Sequence, residues 1–151
     1  MKQTSFSFFQ NYKKEFGGSL LLGKRKEKRP LSTKNPIHLV LKSDEKASFH
    51  PCNQEMKNLI QDTASEFGIK IYDLALNWNH IHCLMKIPSR DSYVKFIRAL
   101  TSRMKVKFIL RPFTRILSWG RDFKNALNYL LKNKMEAFGL KREPKKKKQP
   151  G

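Results

Sequence analysis

Two apolar-rich runs separated by only two residues constrain the fold of this chain most. Residues 70–77 and 80–87 have the length of strands, and Trp78 and Asn79 are the only residues between them. A two-residue connection joins antiparallel strands, so the spacing predicts a β-hairpin, although Trp-Asn is not among the strongest turn dipeptides. The hairpin in turn requires an antiparallel sheet.

The segments on either side of the hairpin predict two further strands and three helices. Apolar runs predict strands at 37–42 and 112–119, and helical spacing predicts helices between Pro51 and Gly68, over 92–110, and from an N-cap at Asp122 to about 138. The order β-α-β-β-α-β-α predicts an α+β domain with a ferredoxin-like or RRM-like antiparallel sheet and helices packed on it.

His80 and His82 begin the second strand of the hairpin. Successive side chains of a strand point to opposite faces, so these two imidazoles share one face while Ile81 and Cys83 line the other. Two neutral imidazoles can chelate one divalent ion, and a catalytic ion usually takes a third protein ligand. The alternative is that two of the four histidines lie close together by chance.

The charge of the chain predicts a polyanionic partner. Lysine and arginine number 32 against 12 acidic residues, which gives a formal net charge of +20 over 151 residues. No apolar stretch reaches the 18 or so residues of a membrane span, so we expect nucleic acid and no membrane partner. The start of the chain lacks a secretory signal pattern and two cysteines do not indicate a disulfide scaffold, which favours a cytoplasmic protein with reduced thiols.

The basic residues fall into two groups that predict phosphate contacts. We expect a basic N-terminal arm over 1–35, a single domain over 36–140 that would carry the candidate site, and a basic disordered tail over 141–151. The alternative for each basic group is a solvated surface. The candidate DNA-binding residues are Lys24, Arg25, Lys26, Lys28 and Arg29 in the arm, and Lys95, Arg98, Arg103 and Lys107 around the helix over 92–110.

Tyr129 and Asn133 lie one turn apart on the last predicted helix. The spacing predicts that they share a flank of this helix and lie off its buried face. An amide oxygen beside two imidazoles suits Mg²⁺ or Mn²⁺, and a neighbouring phenol can act as nucleophile. The alternative is a boundary tyrosine with a surface asparagine.

The constellation resembles the single-tyrosine HUH transposases, over roughly residues 30–140. That family carries His-hydrophobic-His on a strand and Tyr-x-x-x-Asn or Gln on a later helix. The resemblance is closest to the REP-associated branch, whose motifs correspond here to Arg29-Pro30, Asn79-His80-Ile81-His82 and Tyr129-Leu130-Leu131-Lys132-Asn133.

The resemblance implies a metal-dependent endonuclease and strand transferase for single-stranded or hairpin DNA. Tyr129 would be the nucleophile and form a 5′-phosphotyrosine, and His80, His82 and Asn133 would bind Mg²⁺ or Mn²⁺. Tyr72 and Tyr93 would be structural, and the protein would act as a monomer or a homodimer.

Two non-catalytic alternatives share the same pattern. An RRM-like module that binds RNA or single-stranded DNA would have the same β-α-β-β order, but the expected RNP1 pattern of glycines and aromatics is absent. A domesticated transposase would bind a DNA repeat without cutting it. Loss of cleavage on Tyr129→Phe separates both from the enzyme.

Overall fold

The computed structural model describes residues 14–23 and 27–139. Within these ranges the chain forms five strands, three α-helices and a short 3-10 turn at Gly18–Leu21. The predicted α+β class is confirmed. The strands are β1 (Glu15–Phe16), β2 (Ile37–Lys42), β3 (Lys70–Asn77), β4 (His80–Lys86) and β5 (Phe113–Ile116), and the helices are α1 (Gln54–Glu66), α2 (Arg90–Met104) and α3 (Arg121–Ala137).

All neighbouring strands of the sheet are antiparallel, and their order is β1-β5-β2-β4-β3. The predicted hairpin joins β3 to β4, with Asn77 opposite His80. Trp78 in its turn has a φ of 53°, the positive value that a two-residue hairpin connection requires. β2 lies beside β4, so the sheet brings together strands that are far apart in sequence.

Successive side chains of the strands point to opposite faces of the sheet, and this alternation separates two apolar layers. One face of β2, β3 and β4 packs against α1 and α2 in the main core. The other face carries a smaller cluster beneath α3, formed by Ala75, Leu84, Leu117, Ala126 and Leu130. Because α1 and α2 share one face and α3 takes the other, α3 lies over the side of β4 that carries the paired histidines.

The main differences from the predicted boundaries are in α2, β5 and α3. α2 ends at Met104, six residues early, because Lys105 adopts a left-handed conformation and Phe108 instead forms a bridge with Ser43. β5 is limited to four residues. The N-cap of α3 is Gly120, and Asp122 lies in the first turn, where its carboxylate accepts the Ser118 backbone N–H at 3.2 Å.

Part of the predicted N-terminal arm belongs to the sheet. Glu15 and Phe16 pair with β5, and Phe16 is buried. The rest of the arm before residue 14, residues 24–26 and the predicted tail over 141–151 lie outside the described residues. In the part of the chain that is described, no helix is long and apolar enough to span a membrane.

Candidate active site

The imidazoles of His80 and His82 lie side by side on the face of β4 that points to α3. Their ring centroids are 4.8 Å apart and the ring planes are nearly perpendicular, at 81°. The alternation that places both rings here places Ile81 and Cys83 in the core on the opposite face. The strand geometry thus brings two nitrogen ligands to one side of the sheet.

His82 is held within the protein and keeps one nitrogen free. Only 4% of its surface is exposed, and its Nδ1 is hydrogen-bonded to Nε2 of His38 at 3.0 Å. Its Nε2 is buried without a hydrogen-bond partner. Burial, followed by the neighbouring His38 and His80, lowers the pKa of His82 to about 3, so the ring is neutral and can act as a ligand.

His80 has a similar arrangement at the edge of the site. Its Nδ1 is hydrogen-bonded to Oδ1 of Asn79 at 2.7 Å. Burial, and then the positive charge of Lys42, lowers the pKa of His80 below its ordinary value. Both imidazoles of the pair are therefore neutral at pH 7.

Tyr129 lies against His82 and His38 while its ring remains accessible. The ring meets His82 edge to face at a centroid distance of 5.5 Å, and His38 at 6.0 Å. The side chain is 44% exposed. Ala126 and Leu130 pack α3 on the sheet and so fix the height of Tyr129 above it. An incoming phosphate can reach the phenol without any unfolding of the helix.

Asn133 lies on the buried face of α3, with 4% of its surface exposed. Its Nδ2 donates to the backbone oxygen of Tyr129 at 2.9 Å, and its Oδ1 accepts from Nδ2 of Asn77 at 3.4 Å. The prediction that Asn133 shares an exposed flank with Tyr129 was therefore wrong for Asn133. Asn77 is paired with His80 across the hairpin, so Asn133 contacts the residue opposite His80, and its amide oxygen has a second lone pair to offer.

The C-terminal half of α3 is tied to the hairpin by further polar contacts. The indole N–H of Trp78 donates to the backbone oxygen of Ala137 at 3.1 Å. The ammonium of Lys134 donates to the carboxylate of Asp73. Together with the Asn77–Asn133 bond, these contacts align the helix that carries the phenol with the strands that carry the imidazoles.

The candidate donor set is two imidazoles and one amide oxygen. Among residues 14–23 and 27–139, no group of three or more histidine, cysteine, aspartate and glutamate side chains is arranged to hold a metal ion. The buried, unpartnered Nε2 of His82 and the neutral state of both rings fit an ion nevertheless, because a deprotonated ring nitrogen is what a divalent ion binds.

His38 also belongs to this site, although no sequence motif predicted it. It lies on β2 and contacts both His82 and Tyr129. A signal was present in the sequence, since His38 alternates with the apolar residues Ile37 and Leu39. Because β2 lies beside β4 in the sheet, His38 falls on the same face as the histidine pair.

The candidate DNA-binding residues have different surroundings. Arg29 is a structural residue: its guanidinium donates to Oγ1 of Thr114 at 2.9 Å and to the Phe16 carbonyl at 3.3 Å, and it stacks on Phe16 and Tyr93. Burial lowers its pKa. The expected phosphate contact by a free Arg29 side chain does not fit this environment. Lys28 is exposed, and Lys24, Arg25 and Lys26 lie outside the described residues.

The basic face of α2 is partly neutralised by carboxylates. Arg103 forms a bidentate pair with Glu66, with N–O distances of 2.7 and 3.2 Å. Lys95 pairs with Asp91 at 2.8 Å, and Lys107 lies 3.7 Å from Asp44. Arg98 is exposed, and within the described ranges it takes part in no ion pair.

Comparison with known proteins identifies the family. A family model described as "Transposase IS200 like" matches residues 32–123. This match covers more than half of the chain, which therefore belongs to the IS200-like transposase family. The matched region includes His38, His80 and His82 and ends before Tyr129.

A solved transposase structure shares the fold at low sequence identity. The structure of a REP-associated tyrosine transposase bound to a REP hairpin has 13% identity and a TM-score of 0.58, and the match covers 74% of this chain and 73% of that chain. A candidate transposase from Deinococcus radiodurans R1 has 16% identity and a TM-score of 0.42 over 73% of this chain and 98% of that chain. No curated protein matches the chain.

Proposed function

We propose that this protein cuts and rejoins single-stranded DNA, with Tyr129 as the nucleophile. The observation that carries this proposal is the position of the exposed Tyr129 ring against the buried His82, with a centroid distance of 5.5 Å. The ring of His38, which is hydrogen-bonded to His82, also contacts Tyr129, at a centroid distance of 6.0 Å. Membership of a transposase family supports DNA as the substrate.

The proposed metal ligands are His80, His82 and Asn133. Mg²⁺ and Mn²⁺ prefer oxygen ligands and also accept imidazole. Either ion therefore suits this set of ligands together with phosphate oxygens of the substrate. When bound, the ion supplies positive charge that polarises the scissile phosphate. The neutral rings and the unpartnered Nε2 of His82 support the assignment.

The chain's own contribution to the reaction is to position the phenol. Oη of Tyr129 attacks phosphorus, the bond from phosphorus to the 3′ oxygen breaks, and the 5′ phosphate stays on the tyrosine. The phenol loses a proton and the departing 3′ oxygen gains one, so the charge balances. Attack by a 3′-hydroxyl on the phosphotyrosine reverses these steps and joins strands without ATP.

The proposed substrate is hairpin or repeat DNA. The structurally similar REP-associated transposase was solved with a REP hairpin. The net charge of +20 suits a folded single strand, whose phosphates lie close together. One nucleophile makes one break at a time, so full strand exchange requires either two active sites in a homodimer or two successive reactions. The proposed site of action is the cytoplasm.

The test is formation of a covalent adduct. Wild-type protein and Tyr129→Phe are incubated with single-stranded hairpin DNA and Mn²⁺, and the products are separated on a denaturing gel. A label at the 3′ end should remain with wild-type protein, and a label at the 5′ end should be released, because the 5′ phosphate is the one retained. Tyr72→Phe is the matched control and should form the adduct.

Two results would contradict the proposal. An adduct that persists in Tyr129→Phe would assign another nucleophile. Tight binding without any adduct across a broad hairpin library would favour an RRM-like binding module or a domesticated transposase.

A further inference from the structure

Each imidazole of the histidine pair is held at its Nδ1 atom by a different neighbour. Oδ1 of Asn79 lies 2.7 Å from Nδ1 of His80, and Nε2 of His38 lies 3.0 Å from Nδ1 of His82. In both rings this leaves Nε2 as the nitrogen available to a ligand. These two hydrogen-bond partners come from different parts of the chain, Asn79 from the hairpin turn and His38 from β2.

The partner of His80 determines which of its nitrogens carries the proton. An amide oxygen can only accept a hydrogen bond, so Nδ1 of His80 must be the donor. A neutral imidazole has one N–H, and its other nitrogen then carries a lone pair. Asn79 therefore leaves the lone pair of His80 on Nε2.

The His38–His82 bond allows two arrangements, and the environment of His82 favours one. If His38 donated, His82 would carry its proton on Nε2, where a buried N–H would have no acceptor. If His82 donates, the buried Nε2 carries a lone pair. Orphaned N–H groups are rarer in proteins than acceptors without a donor. The second arrangement also matches that of His80.

We propose that His38 and Asn79 are positioning residues that fix His82 and His80 as Nδ1–H tautomers, so that both rings present Nε2 to one divalent ion. Neither positioning residue touches the ion. A hydrogen bond from the second ring nitrogen of a ligating histidine sets ring orientation and ligand basicity, and its loss typically costs about 10- to 100-fold in metal affinity. The role as ion positioners rests on the proposed function, while the tautomers do not depend on it.

The tautomers are measured directly in metal-free wild-type protein labelled with ¹⁵N. Long-range ¹H–¹⁵N correlation spectra at pH 7.5 distinguish a protonated Nδ1 from a protonated Nε2. We expect a protonated Nδ1 for both His80 and His82. A protonated Nε2 on His82 would overturn the inference, and no substitution is needed to see it.

Metal affinity is then compared in folded variants by Mn²⁺ titration with electron paramagnetic resonance. His38→Leu removes the acceptor and should weaken Mn²⁺ binding about 10- to 100-fold, whereas His38→Gln keeps an acceptor oxygen and should restore most of the affinity. Asn79→Leu should likewise weaken Mn²⁺ binding, and Asn79→Asp, which keeps an acceptor oxygen, should restore most of the affinity. His50→Leu, an exposed histidine outside the site, is the matched control and should bind as wild type.

The outcomes separate this inference from the proposed function. Mn²⁺ binding by His38→Leu equal to wild type would overturn the role of His38. Failure of wild-type protein to bind Mn²⁺ would instead show that the proposed ion site is wrong, and the tautomer spectrum would still decide how His38 and Asn79 hold the rings.

Discussion

Tyr129 and Asn133 are one helical turn apart on α3, yet Tyr129 is 44% exposed and Asn133 only 4%. The Asn133 side chain donates back to the Tyr129 carbonyl at 2.9 Å. In the proposed reaction the two residues therefore have different roles, one on the outer side of the helix and one on the inner side. Tyr129 is open to substrate, and Asn133 faces the strands that carry the imidazoles.

Replacing His80 with alanine should abolish cleavage and leave DNA binding nearly intact. The imidazole is a proposed ligand of the ion, whereas basic side chains elsewhere supply the affinity for phosphates. Nicking of hairpin DNA and the dissociation constant at two salt concentrations are measured on the same preparation, with His50→Ala as the control. Normal cleavage by His80→Ala would remove the metal hypothesis.

Arg98→Ala should reduce the salt dependence of DNA binding more than Arg103→Ala. Arg98 is exposed and without an ion pair among the described residues, while Arg103 is already bound to Glu66. Loss of one phosphate contact lowers the slope of log affinity against log salt by about 0.7 for a single strand. Slopes lowered equally below that of wild type would show that the Arg103–Glu66 pair opens on binding, and an unchanged slope for Arg98→Ala would show that Arg98 contacts no phosphate.

Arg29→Met should destabilise the fold and leave DNA affinity unchanged. The substitution keeps the apolar stem but removes the hydrogen bonds to Thr114 and Phe16 and the stacking on Tyr93. We expect a loss of about 2 kcal/mol in the free energy of unfolding, measured with urea. Lys28→Met is the exposed control. Weaker DNA binding with an unchanged urea midpoint would restore Arg29 as a phosphate contact.

Metal-free protein should lose stability as the pH falls below 6.5. Burial lowers the pKa of His38 to about 4 and that of His82 to about 3, so between these values and 6.5 the unfolded chain binds protons that the folded chain does not. Each histidine then removes up to about 1.4 kcal/mol per pH unit.

This pH dependence is measured by urea unfolding in the presence of a chelator. His38→Gln removes one titrating group and should give a shallower dependence. A free energy of unfolding that stays flat from pH 7 to pH 5 would contradict the burial of these rings.

The two cysteines should differ in reactivity towards iodoacetamide. Cys52 is exposed, whereas Cys83 is buried and its pKa is raised to about 12 by burial and then by Asp73. The thiolate is the reactive form, so native protein should take up one label and denatured protein two. Mass spectrometry of wild type and Cys52→Ser provides the count. Labelling of native Cys52→Ser would show that β4 opens.

Local patterns in the sequence predicted most of the fold. β2 and β3 have the bounds that their apolar runs predict, because both strands have a core face that alternation reveals. The end of α2 could not be predicted from periodicity, since Phe108 continues the helical spacing but packs in the main core from a bridge with Ser43. The bridge between Phe108 and Ser43 is a tertiary contact, and such a contact leaves no signal in the local sequence.

The motifs of the candidate site were predictable from the sequence, but the residues that surround them were not. His80, His82 and Tyr129 follow from spacing, whereas the burial of Asn133 depends on Asn77 across the hairpin. His38 depends on the pairing of β2 with β4. The enclosure of Arg29 depends on Phe16, which joins the sheet through a two-residue strand that has no recognisable pattern.

The hydrogen bonds between α3 and the hairpin preorganise the candidate site. Trp78 holds the last turn of the helix at Ala137, Lys134 is paired with Asp73, and Asn133 is held by Asn77. Folding therefore completes the arrangement of phenol and imidazoles before any DNA arrives. A DNA strand would therefore meet the proposed nucleophile already aligned, since the entropy of aligning it has been lost in making the native state.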